Sequence, residues 1–76
     1  MDVITDHHID TKGLLCPIPI LRFKKYIKGL LAGEVIIIES TDPDSVKDFE
    51  IFTTMKGFEI LEMSKDESTY TFTIKI

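Results

Sequence analysis

Hydrophobic positions along this chain change their spacing from helical periodicity to a continuous run and then to strict alternation. From Ile18 to Leu31 the apolar residues recur near helical spacing behind Pro17, which predicts a first helix over 17–31. Because Pro19 disfavours helical geometry at the residue before it, the regular helix is expected to begin a residue or two late. Gly33 is the expected terminator. The predicted buried stripe comprises Ile20, Phe23, Ile27, Leu30 and Leu31.

A buried strand and a second helix follow. The β-branched run within 34–40 is continuous rather than alternating, which indicates a central strand. Asp42 and Pro43 then form a helix-start signal, and Gly57 marks the end of a helix that runs to about Lys56. We interpret Asp42 as a cap first and as a functional carboxylate second. The side chains expected to point inward are Val46, Phe49, Phe52 and Met55.

The last quarter of the chain predicts two strands joined by a hairpin loop. Residues 58–64 are expected to form one strand and 65–68 the loop, while alternation over 70–76 indicates a strand with one buried face. With a short strand over 8–11, the order becomes β-α-β-α-β-β. Right-handed crossovers place both helices on one face of a mixed four-stranded sheet. We therefore predict an α/β (α+β) two-layer sandwich, a single domain over 1–76 with 1–7 flexible.

Composition narrows the class of molecule. A chain of 76 residues with 43% hydrophobic and 29% charged positions is typical of one globular domain. Its lone cysteine argues against a disulfide scaffold and favours a reducing, cytoplasmic setting. A net charge of −4 disfavours broad contact with a nucleic-acid backbone. No apolar run approaches membrane-spanning length, so we expect no membrane partner.

The single cysteine stands where the first helix is predicted to start. Cys16 and the flanking Pro17 and Pro19 follow a turn at Gly13, and proline is tolerated in a first helical turn. A thiol there faces free N–H groups and the positive end of the helix dipole, which favour the reactive thiolate. We expect a partly exposed thiol of low pKa, with the Ile18 N–H as an available donor. The alternative is a small apolar filler.

No second catalytic group is evident beside Cys16. His7 and His8 with Asp10 lack a regular ligand spacing, and adjacent strand side chains point to opposite faces. A solvated strand entry is therefore favoured over a metal site or a Cys–His pair, and we expect no metal and no cofactor. Cations around the first helix form either a solvated face or a surface that steers an acidic partner to the cysteine. These cations are Lys12, Arg22, Lys24, Lys25 and Lys28.

The cysteine motif belongs to a longer pattern that runs from about Ile9 to the C-terminus. Its positions are Asp10, Gly13, Leu14, Cys16, Pro17, Pro19, Gly33, Glu34, Asp42, Pro43, Lys47 and Asp48. The pattern resembles the TusA family of sulfur carriers, which includes SirA-like and YedF-like proteins. The resemblance implies the same sandwich fold, with Cys16 as the persulfide carrier and the prolines as its frame. Asp10 and Asp48 match family positions without an assigned role, and Ile18 replaces a glutamate of the best-known carriers.

The resemblance implies a relay protein rather than a self-contained enzyme, and leaves a sulfurtransferase activity of its own open. The implied donor is a cysteine desulfurase or a rhodanese-like protein, and the implied acceptor is a DsrE-like sulfurtransferase or a tRNA-thiolation protein. Two alternatives stay open. One is a non-catalytic regulatory or protein-binding module that uses Cys16 structurally, and the other is a selenium-handling carrier with the same residues.

Overall fold

The computed structural model describes residues 7–76 as one mixed sheet with two helices packed on one face, which confirms the predicted fold class. Of the stretch predicted to be flexible, 1–6 lies outside the described residues, and His7 opens the first strand. Within the described part, neither helix has the length and apolar character needed to cross a bilayer. The elements are β1 His7–Thr11, α1 Ile18–Ile27, β2 Val35–Ser40, α2 Pro43–Lys56, β3 Glu59–Asp66 and β4 Thr69–Lys75.

The sheet has the strand order β1-β2-β4-β3, with β1 and β3 at its edges. β1 runs parallel to β2, and β4 is antiparallel to both β2 and β3. Ile38 lies in register with Ile9 on one side and with Phe72 on the other, so one face of three strands presents apolar side chains to the helices. Because β1 and β2 are parallel, the helices that follow them both begin at the same end of the sheet.

The core lies between this face and the two helices. Phe23 of α1 meets Phe49 of α2 edge-to-face, with ring centroids 5.5 Å apart, and Phe49 lies 5.0 Å from Phe72 of β4. Three aromatic rings thus connect both helices to the sheet. The large apolar side chains with no solvent exposure are Phe23, Phe49, Phe72, Ile36, Ile38 and Ile74.

Helix α1 ends earlier than predicted. It runs only to Ile27, and the next residues form shorter-range bonds, with the Leu30 N–H donating to the Ile27 carbonyl at 3.0 Å. Leu31 is 78% exposed, so its predicted place in the buried stripe is wrong. Gly33 does not terminate the helix. It has a φ of +97° in the turn into β2, where its N–H donates to the Ile76 carbonyl.

Helix α2 has the predicted bounds, and three of its four predicted inward residues, Val46, Phe49 and Phe52, pack in or against the core. Asp42 caps its first turn, and Gly57 ends it in the left-handed conformation, as predicted. Met55, however, is 74% exposed, so its predicted inward orientation is wrong. Thr53 is buried instead, and its hydroxyl donates to the Phe49 carbonyl at 2.7 Å. Because that bond satisfies the hydroxyl, a threonine can occupy the core-facing position.

The β3–β4 hairpin is tighter than predicted. The strands extend to Asp66 and restart at Thr69, so only Glu67 and Ser68 form the turn, whereas a loop over 65–68 was expected. Glu67 takes the positive φ of +56° that such two-residue turns require. Without a glycine in the turn, the sequence carries no strong signal for so short a connection.

Candidate functional site

Cys16 lies in the turn between β1 and α1, at the end of the sheet where both helices begin. The turn starts at the last residue of β1, where the Leu14 N–H donates to the Thr11 carbonyl at 3.1 Å. Gly13 has a φ of +83°, a conformation in which L-residues are strained, and its N–H donates to the Thr41 hydroxyl at 2.9 Å. The structure therefore places Gly13 as the predicted turn before the cysteine, tied to the segment that precedes α2.

The two prolines hold the start of α1. Pro19 is fully buried, Pro17 is exposed, and the Cys16–Pro17 peptide bond is cis. The helix begins at Ile18, one residue later than Pro17, in agreement with the expected distortion of the first turn. The Ile18 N–H donates to the Leu15 carbonyl at 2.8 Å, so the prediction that it is an available donor is wrong.

Two carboxylates of the α2 segment bind Cys16. The backbone N–H of Cys16 donates to Asp42 Oδ2 at 2.5 Å, and its thiol donates to Asp48 Oδ2 at 2.7 Å. Asp42 also accepts the Asp44 N–H through Oδ1 at 3.1 Å, which is the cap bond of α2. Asp42 thus serves both as a cap and as an anchor for the cysteine turn, while Asp48 contacts the sulfur itself.

The surroundings of the Cys16 thiol raise its pKa from 9.0 to about 11. The hydrogen bond to Asp48 has the largest effect, followed by desolvation and by the negative charges of Asp48, Asp42 and Asp44. The predicted low pKa is wrong. The positive end of α1 amounts to roughly half a charge, and full negative charges on α2 oppose it. A pKa near 11 leaves roughly one thiolate in ten thousand at pH 7. The cysteine is exposed, which agrees with the predicted accessible thiol and contradicts the alternative of a small apolar filler in the core.

A shallow groove of about 260 Å³ runs from the thiol between the two helices. Its walls include the exposed apolar side chains of Ile51 and Met55, which are 52% and 74% accessible. Lys24 stands on the α1 wall with its ammonium 4.9 Å from the centre of the Phe52 ring. The full lining is Cys16, Pro17, Ile20, Lys24, Asp48, Ile51, Phe52 and Met55. The thiol therefore opens onto an apolar surface that another macromolecule can reach.

The two histidines form hydrogen bonds with residues other than Cys16. His7 contacts the Tyr26 hydroxyl at 3.1 Å through Nδ1 and Glu34 at 2.9 Å through Nε2, and it holds the pKa of the Glu34 carboxyl below its usual value. His8 bonds to Glu39 at 2.7 Å. Neither histidine is bonded to Cys16, and residues 7–76 contain no group of three metal-ligating side chains.

Most of the remaining candidate residues lie away from the Cys16 thiol. Asp10 bonds the Lys12 N–H at 2.9 Å and ammonium at 3.4 Å, which lowers the pKa of its carboxyl and closes the turn after β1. Arg22 and Lys25 line a different groove, beside the edge strand β1. Of the five cations around the first helix, Lys24 lines the groove at the thiol and the other four do not.

The contact between Asp48 and Cys16 was not predicted, although Asp48 belongs to the sequence motif. The signal lies in the topology, because successive parallel β–α units place both helix starts at one end of a sheet. A carboxylate in the second turn of α2 can then face the residue that precedes α1. Proximity along the chain gives no hint of this, since the two residues are separated by 32 positions.

Comparison with known proteins agrees with the motif. A sequence model of the family described as Sulfurtransferase TusA matches residues 7–76. The chain belongs to the TusA family. It is 41% identical over 70 residues to the sulfur carrier protein TusA of Allochromatium vinosum, covering 92% of each chain. The corresponding protein of Pseudomonas entomophila is 34% identical over 97% of this chain and 92% of its own. The crystal structure of a SirA-like protein from Desulfitobacterium hafniense superposes with a TM-score of 0.79 at 30% identity, covering 90% of this chain and 93% of that one.

Proposed function

We propose that this TusA-family protein is a sulfur carrier that holds sulfane sulfur as a persulfide on Cys16 and passes it from a donor protein to an acceptor protein. The observation that carries the proposal is the exposed thiol of the only cysteine, framed by the family motif and open to a surface groove. Family membership and the names of the relatives support the same role.

The sulfur exchange that loads Cys16 consumes only a thiol and a donor persulfide. The Cys16 sulfur attacks the outer sulfur of the donor, a new S–S bond forms, and the donor S–S bond breaks with its electron pair on the inner donor sulfur. The proton lost by Cys16 passes through the surrounding groups to that leaving sulfur. One thiol and one persulfide thus become another thiol and persulfide, so no oxidant or reductant is consumed. Delivery to the acceptor repeats the exchange with the roles reversed.

The surroundings of the thiol suit exchange between proteins. Among the described residues bonded to Cys16 there are only carboxylates, with no second nucleophile to resolve or process the sulfur. The groove leads outward over Ile51 and Met55 and does not close around a small molecule. We propose a cysteine desulfurase or rhodanese-like protein as the donor and a DsrE-like or tRNA-thiolation protein as the acceptor.

A non-catalytic binding module of the same fold is the alternative that one observation favours. A thiol pKa near 11 predicts slow alkylation at neutral pH, which also suits a cysteine with a structural role. Alkylation of the free protein therefore does not separate a carrier from a binding module. Acceptance of sulfur does separate them.

A two-stage labelling experiment tests the relay. The protein is incubated with a cysteine desulfurase and [³⁵S]cysteine, or with a rhodanese-like protein and labelled thiosulfate, and is then purified away from the donor. We expect a thiol-reducible label on the wild type that moves to a candidate acceptor, and no label on Cys16→Ser. If neither donor class labels the wild type, the carrier role is wrong. Preferential loading from a selenium donor would reassign the cargo.

A further inference from the structure

The thiol of Cys16 makes its hydrogen bond to a group that accepts and does not donate. The sulfur lies 2.7 Å from Asp48 Oδ2, and a carboxylate has no proton to offer. The contact therefore requires that the proton reside on sulfur. In this arrangement the site holds Cys16 as the thiol, the form that does not attack a persulfide.

Asp48 is the one carboxylate at the site whose only described hydrogen bond is to the thiol. Asp42 uses both oxygens on backbone N–H groups, those of Cys16 and Asp44, and so has a structural task. Asp48 is not bonded to any cap, turn or cation within the described residues. A side chain with this single contact can be changed with little effect on the fold and a large effect on the sulfur.

We propose that Asp48 is a positioning residue that keeps Cys16 protonated in the resting protein, so that the sulfur becomes a nucleophile only when a docked partner neutralises the Asp48 carboxylate or supplies a base for the thiol proton. This inference rests on the proposed carrier function. It adds a rule for when the carrier reacts: the donor must bring a base or a positive charge to the groove, whereas small electrophiles in solution meet the unreactive thiol.

The other charged groups at the site do not cancel the effect of Asp48. Asp42 and Asp44 face the thiol from the start of α2 and add negative charge. On the α1 side the charged residue in the groove is Lys24, whose ammonium lies over the Phe52 ring and forms no ion pair with these carboxylates among residues 7–76. The resting site therefore keeps its negative charge next to the sulfur until something from outside arrives.

The pH profile of alkylation tests the resting state without any sulfur donor. The full chain is treated with iodoacetamide between pH 6 and 12, and the adduct is followed by intact mass for the wild type, Asp48→Asn, Asp48→Glu and Asp44→Asn. We expect Asp48→Asn to lower the midpoint by about one pH unit or more and to speed alkylation at pH 7.5 by roughly tenfold. Asp48→Glu should stay near the wild type, and Asp44→Asn should shift the midpoint much less.

Two outcomes would overturn the proposed role of Asp48: an unchanged midpoint in Asp48→Asn, or an equal shift in Asp44→Asn. Thermal unfolding of each variant tests whether a loosened turn is responsible, because a protonation effect leaves the midpoint of unfolding near the wild-type value. If Asp48→Asn does not fold, Asp48→Ser, which also removes the charge, serves for the same comparison.

Sulfur loading tests the dependence on a partner. At pH 7.5 we expect Asp48→Asn to load sulfur faster than the wild type from free cysteine persulfide. With a protein donor, the increase in loading rate over the wild type should be smaller. The ratio of the protein-donor rate to the free-persulfide rate should fall by roughly tenfold. Equal gains with both sulfur sources would contradict release by the partner. If the wild type takes sulfur from neither source, the carrier function fails, whereas the alkylation profile still decides whether Asp48 controls the thiol.

Discussion

At the scale of single residues, Asp42 joins two parts of the site through one side chain. Its Oδ1 accepts the Asp44 N–H to cap α2, and its Oδ2 accepts the Cys16 N–H from the turn before α1. The residue is only 8% exposed, so water has little access to either bond. The position of the cysteine turn against α2 therefore depends on Asp42, whereas the protonation of the thiol depends on Asp48.

Replacing Asp42 with alanine should lower the free energy of unfolding by about 2 kcal/mol, because the cap is lost and a second N–H loses its partner. Urea denaturation measures this loss. Asp44→Ala is the matched control: Asp44 is exposed, and its interaction with the helix dipole is worth less than about 1 kcal/mol. Equal losses in the two variants would show that the Asp42 bonds do not hold the turn.

Local signals predicted part of the site. Cys16, the turn at Gly13 and the cap at Asp42 could each be read from a few neighbouring residues, because turns and caps depend on local backbone chemistry. The pKa of the thiol could not, since it depends on carboxylates that lie on another helix. The dipole of α1 alone favours the thiolate, whereas the negative charges of α2 oppose it, and the predicted direction of the thiol pKa shift was therefore wrong.

At the scale of elements, the ends of the helices differ in how strongly the sequence encodes them. Helix α2 ends at Gly57, which has a φ of +74° and whose N–H bonds to the carbonyls of Thr53 and Thr54. This is the common glycine termination, and it was predicted. Helix α1 ends without such a residue, although apolar periodicity continues through Leu30 and Leu31. Periodicity shows which residues could extend a helix, but it does not show where the chain must turn back to β2.

Two glycine variants test this difference. Gly57→Ala should lower the free energy of unfolding by about 1 kcal/mol or more, because alanine is strained in the left-handed conformation. Gly29→Ala is the matched control, since Gly29 has no positive φ and a Cβ meets nothing within 4 Å at either position. We expect it to be neutral or stabilising in thermal or urea unfolding. A similar loss at both positions would contradict backbone strain as the cause.

At the scale of the whole molecule, the topology brings the reactive group and its regulator together. Two successive β–α units start their helices at one end of the sheet, and the core of Phe23, Phe49 and Phe72 holds those helices in place. The thiol therefore lies at the rim of the sandwich, exposed to partners, with the carboxylates of α2 beside it. The fold could be predicted because element order and crossover handedness allow few arrangements. The helix faces that meet were predicted as well, apart from Leu31 and Met55, which are exposed.

The raised thiol pKa predicts how stability changes in alkaline solution. The folded protein holds the Cys16 proton up to about pH 11, whereas the unfolded chain releases it near 9.0. The contribution of the bound proton to stability is present below pH 9 and is lost as the pH rises from 9 to 11. We expect the free energy of unfolding to fall more steeply over this range in the wild type than in Cys16→Ser. Parallel curves for the two proteins would contradict a raised pKa.

Intact-mass spectrometry after incubation with a sulfur donor tests the carrier assignment most directly. The wild type should gain one sulfur, about 32 Da, that a thiol reductant removes. Cys16→Ser should gain nothing under the same conditions, because the chain has a single cysteine. An unchanged mass of the wild type with both a cysteine desulfurase and a rhodanese-like donor, or an equal gain in Cys16→Ser, would contradict sulfur transport on Cys16.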